Sequence, residues 1–223
     1  MQEWKDKNKA VDAWQAMRIQ SEFVRGFDTL AELGPSVCVF GSARTPMNTY
    51  WYDEAKKFGK IIALEGFSVI TGGGPGIMEA VNDGAKEAGA NSVGVGIELP
   101  FEAEMNSYVT TGITCRYFFT RKVMFLKYSQ AFIVFPGGLG TLDELFETLT
   151  LAQTGHTPKF PIILIGTEYW SGLMDWLRDT VCESRKMSSD DFNLFRVVDT
   201  AEEARDKIME FHEKYRKNNQ TNF

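Results

Sequence analysis

Ala131-Phe132-Ile133-Val134-Phe135-Pro136-Gly137-Gly138-Leu139-Gly140-Thr141-Leu142-Asp143-Glu144 is the most informative segment of this 223-residue chain. Its first five residues form a short run without internal polarity, the pattern of a strand buried on both faces. A helical pattern follows the glycines and runs to Gln153. A strand thus enters a glycine-rich turn, and the turn opens a helix with two carboxylates, Asp143 and Glu144, in its expected first turn. Glycines there let backbone N–H groups face an anion, and the helix N-terminus adds partial positive charge. A phosphate suits such a turn. The carboxylates beside it are more than a phosphate site requires.

The same alternation extends in both directions. Strands are expected at Ser36–Phe40, Phe67–Thr71, Ser92–Ile97, Ala131–Phe135, Pro161–Ile165 and Phe195–Val198. Helices are expected at Tyr52–Leu64, Gly76–Ala88, Tyr117–Tyr128, Thr141–Gln153, Tyr169–Ser184 and Ala201–Tyr215, with residues 98–116 irregular. Apolar positions at Val11, Trp14, Met17, Val24, Phe27 and Leu30 predict an earlier helix that Gly34-Pro35 ends. The expected fold is α/β: a Rossmann-like, doubly wound, mainly parallel sheet flanked by helices, with an N-terminal helical extension. Residues 1–34 form the extension, 35–215 the nucleotide-binding catalytic domain and 216–223 a polar tail. Parallel strands place three glycine loops at one sheet edge, where such folds bind ligands. These are Phe40–Arg44, Thr71–Gly76 and Pro136–Thr141.

Composition narrows the function. Hydrophobic residues make up 43% of the chain, a globular proportion, and the net charge of −6 argues against nonspecific nucleic-acid binding. No apolar run reaches membrane-spanning length, and Met1–Ala10 is too polar for a secretory signal. Three separated cysteines without a CxxC pair, and only two histidines, fit a cytoplasmic protein without a metal site.

Neither common nucleotide motif is satisfied. No loop carries the Walker GxxxxGK followed by Ser or Thr. The GxGxxG pattern fails at Ile77 in one loop and at Asp143 in the other, where a carboxylate would repel a pyrophosphate. Two readings of Glu144 stay open, a catalytic carboxylate or half of a helix cap. Thr141-x-x-Glu144 has the form of a helix capping box, and Asp143 can serve the helix dipole alone. A second constellation is Phe118-Phe119-Thr120-Arg121-Lys122-Val123-Met124-Phe125. Its two cations either reach solvent past an apolar helix or meet an anion, for which arginine offers a planar fork.

Taken together, Gly72-Gly73-Gly74-Pro75-Gly76-Ile77-Met78-Glu79, the Arg121-Lys122 pair and Pro136–Glu144 resemble the Lonely Guy family. Its members are cytokinin riboside 5′-monophosphate phosphoribohydrolases and related nucleotide 5′-monophosphate nucleosidases, often labelled lysine decarboxylases. The resemblance spans roughly Ser36 to Val198. It implies cleavage of the N-glycosidic bond of a nucleoside 5′-monophosphate, AMP or a cytokinin nucleotide, to free base and ribose 5-phosphate. It implies Arg121 and Glu144 as catalytic residues. Substrate would be held by Gly41, Ser42, Gly73, Gly74, Gly76, Lys122, Gly137, Gly138, Leu139, Gly140, Thr141, Asp143 and Thr150. Many relatives have Glu where this chain has Asp143. No cofactor or metal is expected. The expected partners are the nucleotide and further copies of the chain, as a homodimer or larger homo-oligomer, with no nucleic acid and no membrane. Two other readings use the same loops: a nucleotide-sensing module without turnover, and a transferase in which phosphate attacks the ribose.

Overall fold

The strands are β1 (Ser36–Phe40), β2 (Ser68–Thr71), β3 (Ser92–Ile97), β4 (Thr111–Cys115), β5 (Ala131–Val134), β6 (Ile162–Ile165) and β7 (Arg196–Val198). They form one all-parallel sheet in the order β4-β3-β2-β1-β5-β6-β7. The computed structural model describes residues 2–98 and 104–218, with side chains for 11–98 and 104–214. Helices are α1 (Gln2–Leu30), α2 (Tyr50–Leu64), α3 (Ile77–Glu87), α4 (Phe118–Tyr128), α5 (Leu139–Gln153), α6 (Thr167–Trp176) and α7 (Ala201–Asn218).

Alternate strand residues feed opposite faces, as the two-residue period of a strand requires. Val37 and Val39 join α2, α3 and α7 through Phe58, Ile62, Ile77, Val81 and Ile208. Cys38 and Phe40 join the other layer through Leu30 of α1, Met124 and Phe125 of α4, Leu145 of α5 and Trp170 of α6. Strand β1 pairs with β2 on one side and β5 on the other, with Val37 opposite Ala131 and Phe40 opposite Val134. The chain reverses its direction of travel across the sheet at this pair, so a crevice opens outside the carboxyl ends of β1 and β5.

Several elements depart from the sequence expectations. Thr111–Cys115, expected to be irregular, is the edge strand β4, parallel to β3. Only Ile113 and Cys115 of its five residues are buried, so it lacks the continuous apolar signature of the inner strands. Helix α5 begins at Leu139, two residues before the expected start, which moves Asp143 and Glu144 out of its first turn. The single helix expected over 169–184 is instead α6, which continues as a π-helical segment over Leu177–Cys182. Helix α7 runs on to Asn218, into the region expected to be a tail. The rest of that tail and residues 99–103 lie outside the described residues.

Helix α1 is fastened to the domain at three points. Leu30 is fully buried. Gly26 lets Met124 approach so closely that a Cβ would stand 2.6 Å from its Cε. Buried Glu22 accepts hydrogen bonds from Arg116 N at 2.9 Å and Thr120 Oγ1 at 2.6 Å, which fixes the start of α4.

Candidate active site

The first glycine loop lies between the other two. Ser42 N donates to Pro136 O at 3.0 Å, and Ile77 N donates to Ser42 O at 3.0 Å. Such closeness needs glycine. A Cβ on Gly41 would stand 2.5 Å from Ile77 Cγ2, and Gly76, at φ +70°, would drive a Cβ into the Ser42 carbonyl. The three loops read separately from sequence are therefore one surface.

The second loop is held from beneath by a polar network. Thr71 Oγ1 donates to Asn82 Oδ1 at 2.7 Å and accepts from Gly73 N at 3.0 Å. Asn106 Nδ2 reaches Gly73 O, Gly74 O and Asn82 Oδ1, while Asn82 Nδ2 donates to Ser92 Oγ. These bonds satisfy buried polar groups and leave little freedom at Gly72–Gly74. Neither asparagine belongs to a motif; each is recognisable only by what it touches.

The third loop presents the N-terminus of α5. The helix ladder begins with Leu142 N donating to Gly138 O. The N–H groups of Leu139, Gly140 and Thr141 therefore have no acceptor within the helix. Gly138, Leu139 and Gly140 are exposed, whereas Gly137 is buried and its carbonyl accepts from Tyr169 Oη at 2.8 Å. Tyr169 of α6 thus braces the loop, with no signal in its own sequence neighbourhood. Thr141 packs against Gly137, where a Cβ would collide with it.

That geometry removes the capping-box reading. The N-cap is Gly138, no side chain caps the helix, and Thr141 is its third residue. Glu144 lies in the second turn, its side chain 10% exposed. A capping box does form elsewhere, between Ser188 and Asp191. Glu144 is thus a buried carboxylate without a capping partner. Burial pushes its pKa up to about 7, with Lys122 and Arg121 pulling down and Glu147 and Asp143 pushing up.

Lys122 meets three carboxylates: Glu147 at 2.7 Å, Asp143 at 2.9 Å and Glu144 at 3.5 Å. Burial acts to lower its pKa, but the hydrogen bonds to Glu147 and Asp143 outweigh that, and the net direction is upward. The resemblance implies that Lys122 holds substrate. The structure pairs it with this acidic cluster and adds Glu147, which no motif named but which follows Asp143 by one helical turn. Thr150 extends the same stripe, about 10 Å along the axis from Asp143. It is exposed, and its hydroxyl donates to Phe146 O at 2.7 Å.

Arg121 turns the other way. Its Nε donates to Val95 O at 2.8 Å and its guanidinium lies 5.0 Å from the Phe125 ring centroid. The guanidinium also crosses Gly72, where a Cβ would collide with Nη2. Arg121 is therefore held between β3 and the second glycine loop, on the side of the crevice away from the α5 N-terminus.

The chain is similar in sequence and in fold to known proteins. The family model described as "possible lysine decarboxylase" matches residues 78–208, a span that holds Arg121, Lys122 and the whole Pro136–Glu144 segment. Cytokinin riboside 5′-monophosphate phosphoribohydrolase LOG4 of Arabidopsis thaliana is 28% identical over 178 residues, 78% of this chain and 82% of its own. The cytokinin riboside 5′-monophosphate phosphoribohydrolase of Mycobacterium tuberculosis is 33% identical over 138 residues, 60% of this chain and 73% of its own. The molybdenum cofactor carrier protein of Chlamydomonas reinhardtii superposes with a TM-score of 0.58 at 24% identity, covering 79% of this chain and 96% of that one. That last likeness concerns the fold alone.

Proposed function

This chain belongs to the possible lysine decarboxylase family, the Lonely Guy family, and from that premise we propose that it hydrolyses the N-glycosidic bond of nucleoside 5′-monophosphates. The substrate class is AMP or an N6-substituted relative, and the products are the free base and ribose 5-phosphate. The observation that carries this reading is the pairing of two features on one helix. Open N–H groups at Leu139–Thr141 begin α5, and the buried carboxylate of Glu144 follows one turn later.

In this reading the 5′-phosphate sits on the α5 N-terminus, with Gly137–Thr141 around it and the Gly73–Gly76 and Gly41-Ser42 loops alongside. Its binding orients the ribose so that C1′ comes to Glu144. The C1′–N bond breaks, the ribosyl carbon gains oxocarbenium character, and water bonds to C1′. Ionised Glu144 stabilises the positive charge and takes the proton from the attacking water. The base leaves with the bonding pair and takes a proton from solvent water, Glu144 returns the proton it took to solvent, and Arg121 balances charge as the base departs. Lys122 acts on Glu144 rather than on the nucleotide: its ammonium favours the ionised carboxylate that burial disfavours. Held as an ammonium by three carboxylates, Lys122 is poorly suited to form the imine that amino-acid decarboxylation by a pyridoxal cofactor requires.

Purified protein incubated with AMP and with an N6-prenylated AMP tests the reading by chromatography of the base and the sugar phosphate. Free base with ribose 5-phosphate is the expected outcome. A ribose bisphosphate formed only when phosphate is supplied would indicate a transferase, and intact nucleotide a binding module. The same reading includes self-association. Met17, Val24, Phe118 and Phe119 are large apolar side chains about half or more exposed on α1 and α4, which pack together. Sedimentation of the wild-type chain should give a dimer or larger, and Val24→Glu a lower mass.

A further inference from the structure

Away from the glycine loops, α1 and the segment entering α4 form an open surface cavity of about 460 Å3, lined by Val11, Trp14, Gln15, Arg18, Arg116 and Tyr117. Its size falls in the range of small-molecule sites. Among the described residues its lining has two arginines, two aromatic residues and no carboxylate. Among the described residues, neither the Arg18 nor the Arg116 side chain makes a hydrogen bond or ion pair. An adjoining cavity of about 450 Å3 shares Arg18 and Arg116 and adds Arg25, Glu22 and Glu98. The cations there are offset or engaged. Arg25 donates to the Thr114 carbonyl, and Glu22 already accepts from Arg116 N and Thr120 Oγ1. Negative charge is therefore best placed where Arg18 and Arg116 line the first cavity, beside Trp14, 66% exposed, and Tyr117, one face of whose ring stacks on Phe119 at 5.4 Å between centroids.

We propose that this cavity is a second ligand site, separate from the glycine loops, for a phosphorylated compound carrying a planar ring, of the nucleoside phosphate class. Arg18 and Arg116 supply planar forks for phosphate oxygens. Trp14 and Tyr117 supply stacking surfaces that tolerate any flat heterocycle. None of the residues lining the first cavity carries a role in the proposed hydrolysis. The position has a structural consequence: Tyr117 is the N-cap of α4, and Arg121 and Lys122 lie in the first turns of that helix.

The probe is a C-nucleoside 5′-monophosphate, whose ring–ribose carbon–carbon bond resists hydrolysis, titrated while tryptophan fluorescence is followed. The difference between wild type and Trp14→Phe isolates the signal of Trp14. We expect a saturable Trp14-dependent quench whose midpoint rises at least tenfold in Arg18→Gln/Arg116→Gln, with the melting temperature unchanged. If the double variant melts lower, the two single variants replace it, each expected to raise the midpoint at least threefold. No Trp14-dependent quench, or one that the arginine substitutions leave unmoved, overturns the proposal. Base release from AMP is measured separately, so failure of the hydrolase reading leaves this titration interpretable, and the reverse.

Discussion

Glu144 concentrates the chemistry of the residue scale. As a helix cap it would be exposed, ionised and replaceable by Gln. In the structure it is buried in the second turn, its pKa pushed up to about 7. Glu144→Gln keeps the shape and removes the charge, so it should fold normally and lose about 100-fold or more in base release, the usual scale for a general base. Wild-type kinetics with AMP as substrate provide the comparison, and an undiminished rate in the variant would sink the assignment. The pH dependence follows from the same carboxyl. Its folded pKa lies above its ordinary value, so the folded state binds the extra proton between about pH 4.5 and 7. The stability this contributes is complete below that window and is lost as pH rises through it, by about 3 kcal/mol for a shift of this size. Urea denaturation at pH 5 and pH 8 should show this loss in wild type, and less of it in Glu144→Gln. Activity should run the opposite way, kcat/KM rising with pH through about 7, because the base must be ionised.

At the scale of elements, glycines decide how closely the loops approach. Gly76 combines a positive φ with contact against the Ser42 carbonyl, so Gly76→Ala should cost on the order of 1–3 kcal/mol from backbone strain alone. Chemical denaturation measures it directly. Gly72 is different. Its φ is ordinary, and a Cβ there meets two flexible side chains, the guanidinium of Arg121 and Met78 Sδ at 2.8 Å. Gly72→Ala should therefore leave the melting temperature nearly intact and lower kcat/KM with AMP by displacing Arg121. Much of this was legible in the sequence. A glycine run after a short apolar strand has few physical explanations, and the helix after Pro136 follows from its periodicity. The strand at Thr111–Cys115 was not legible. An edge strand needs only one apolar side, and Thr111 and Gly112 blur even that. The early start of α5 has no sequence signal because Leu139-Gly140 makes a poor helical signature, yet this helix gains its stability from packing behind it rather than from its first residues.

For the whole molecule, the question is whether α1 is an extension or part of the domain. The sequence divides the chain near residue 34. The structure runs buried contacts across that division through Leu30, Gly26 against Met124, and Glu22 beneath the start of α4. A chain starting at residue 35 should lose several kcal/mol, since burying Leu30 alone is worth about 2 kcal/mol. Arg116 N would also lose its acceptor, and Thr120 Oγ1 would keep only Tyr117 O. Calorimetry of the truncated chain checks this, and a melting temperature equal to that of the full chain would restore the view of α1 as an appendage.

Local information in the chain suffices for the alternation of strands and helices, the three glycine loops at one sheet edge and the family resemblance. Each depends on short-range periodicity, on the backbone freedom of glycine, or on motifs contiguous in the chain. It takes the packed fold to bury Glu144 instead of letting it cap, to share Lys122 among three carboxylates, to thread Arg121 past Gly72, and to bring Arg18 and Arg116 together at the same two cavities. Those facts depend on charges and volumes brought together from helices and loops far apart in the chain, and the energies of burial and ion pairing exist only once the packing has placed them.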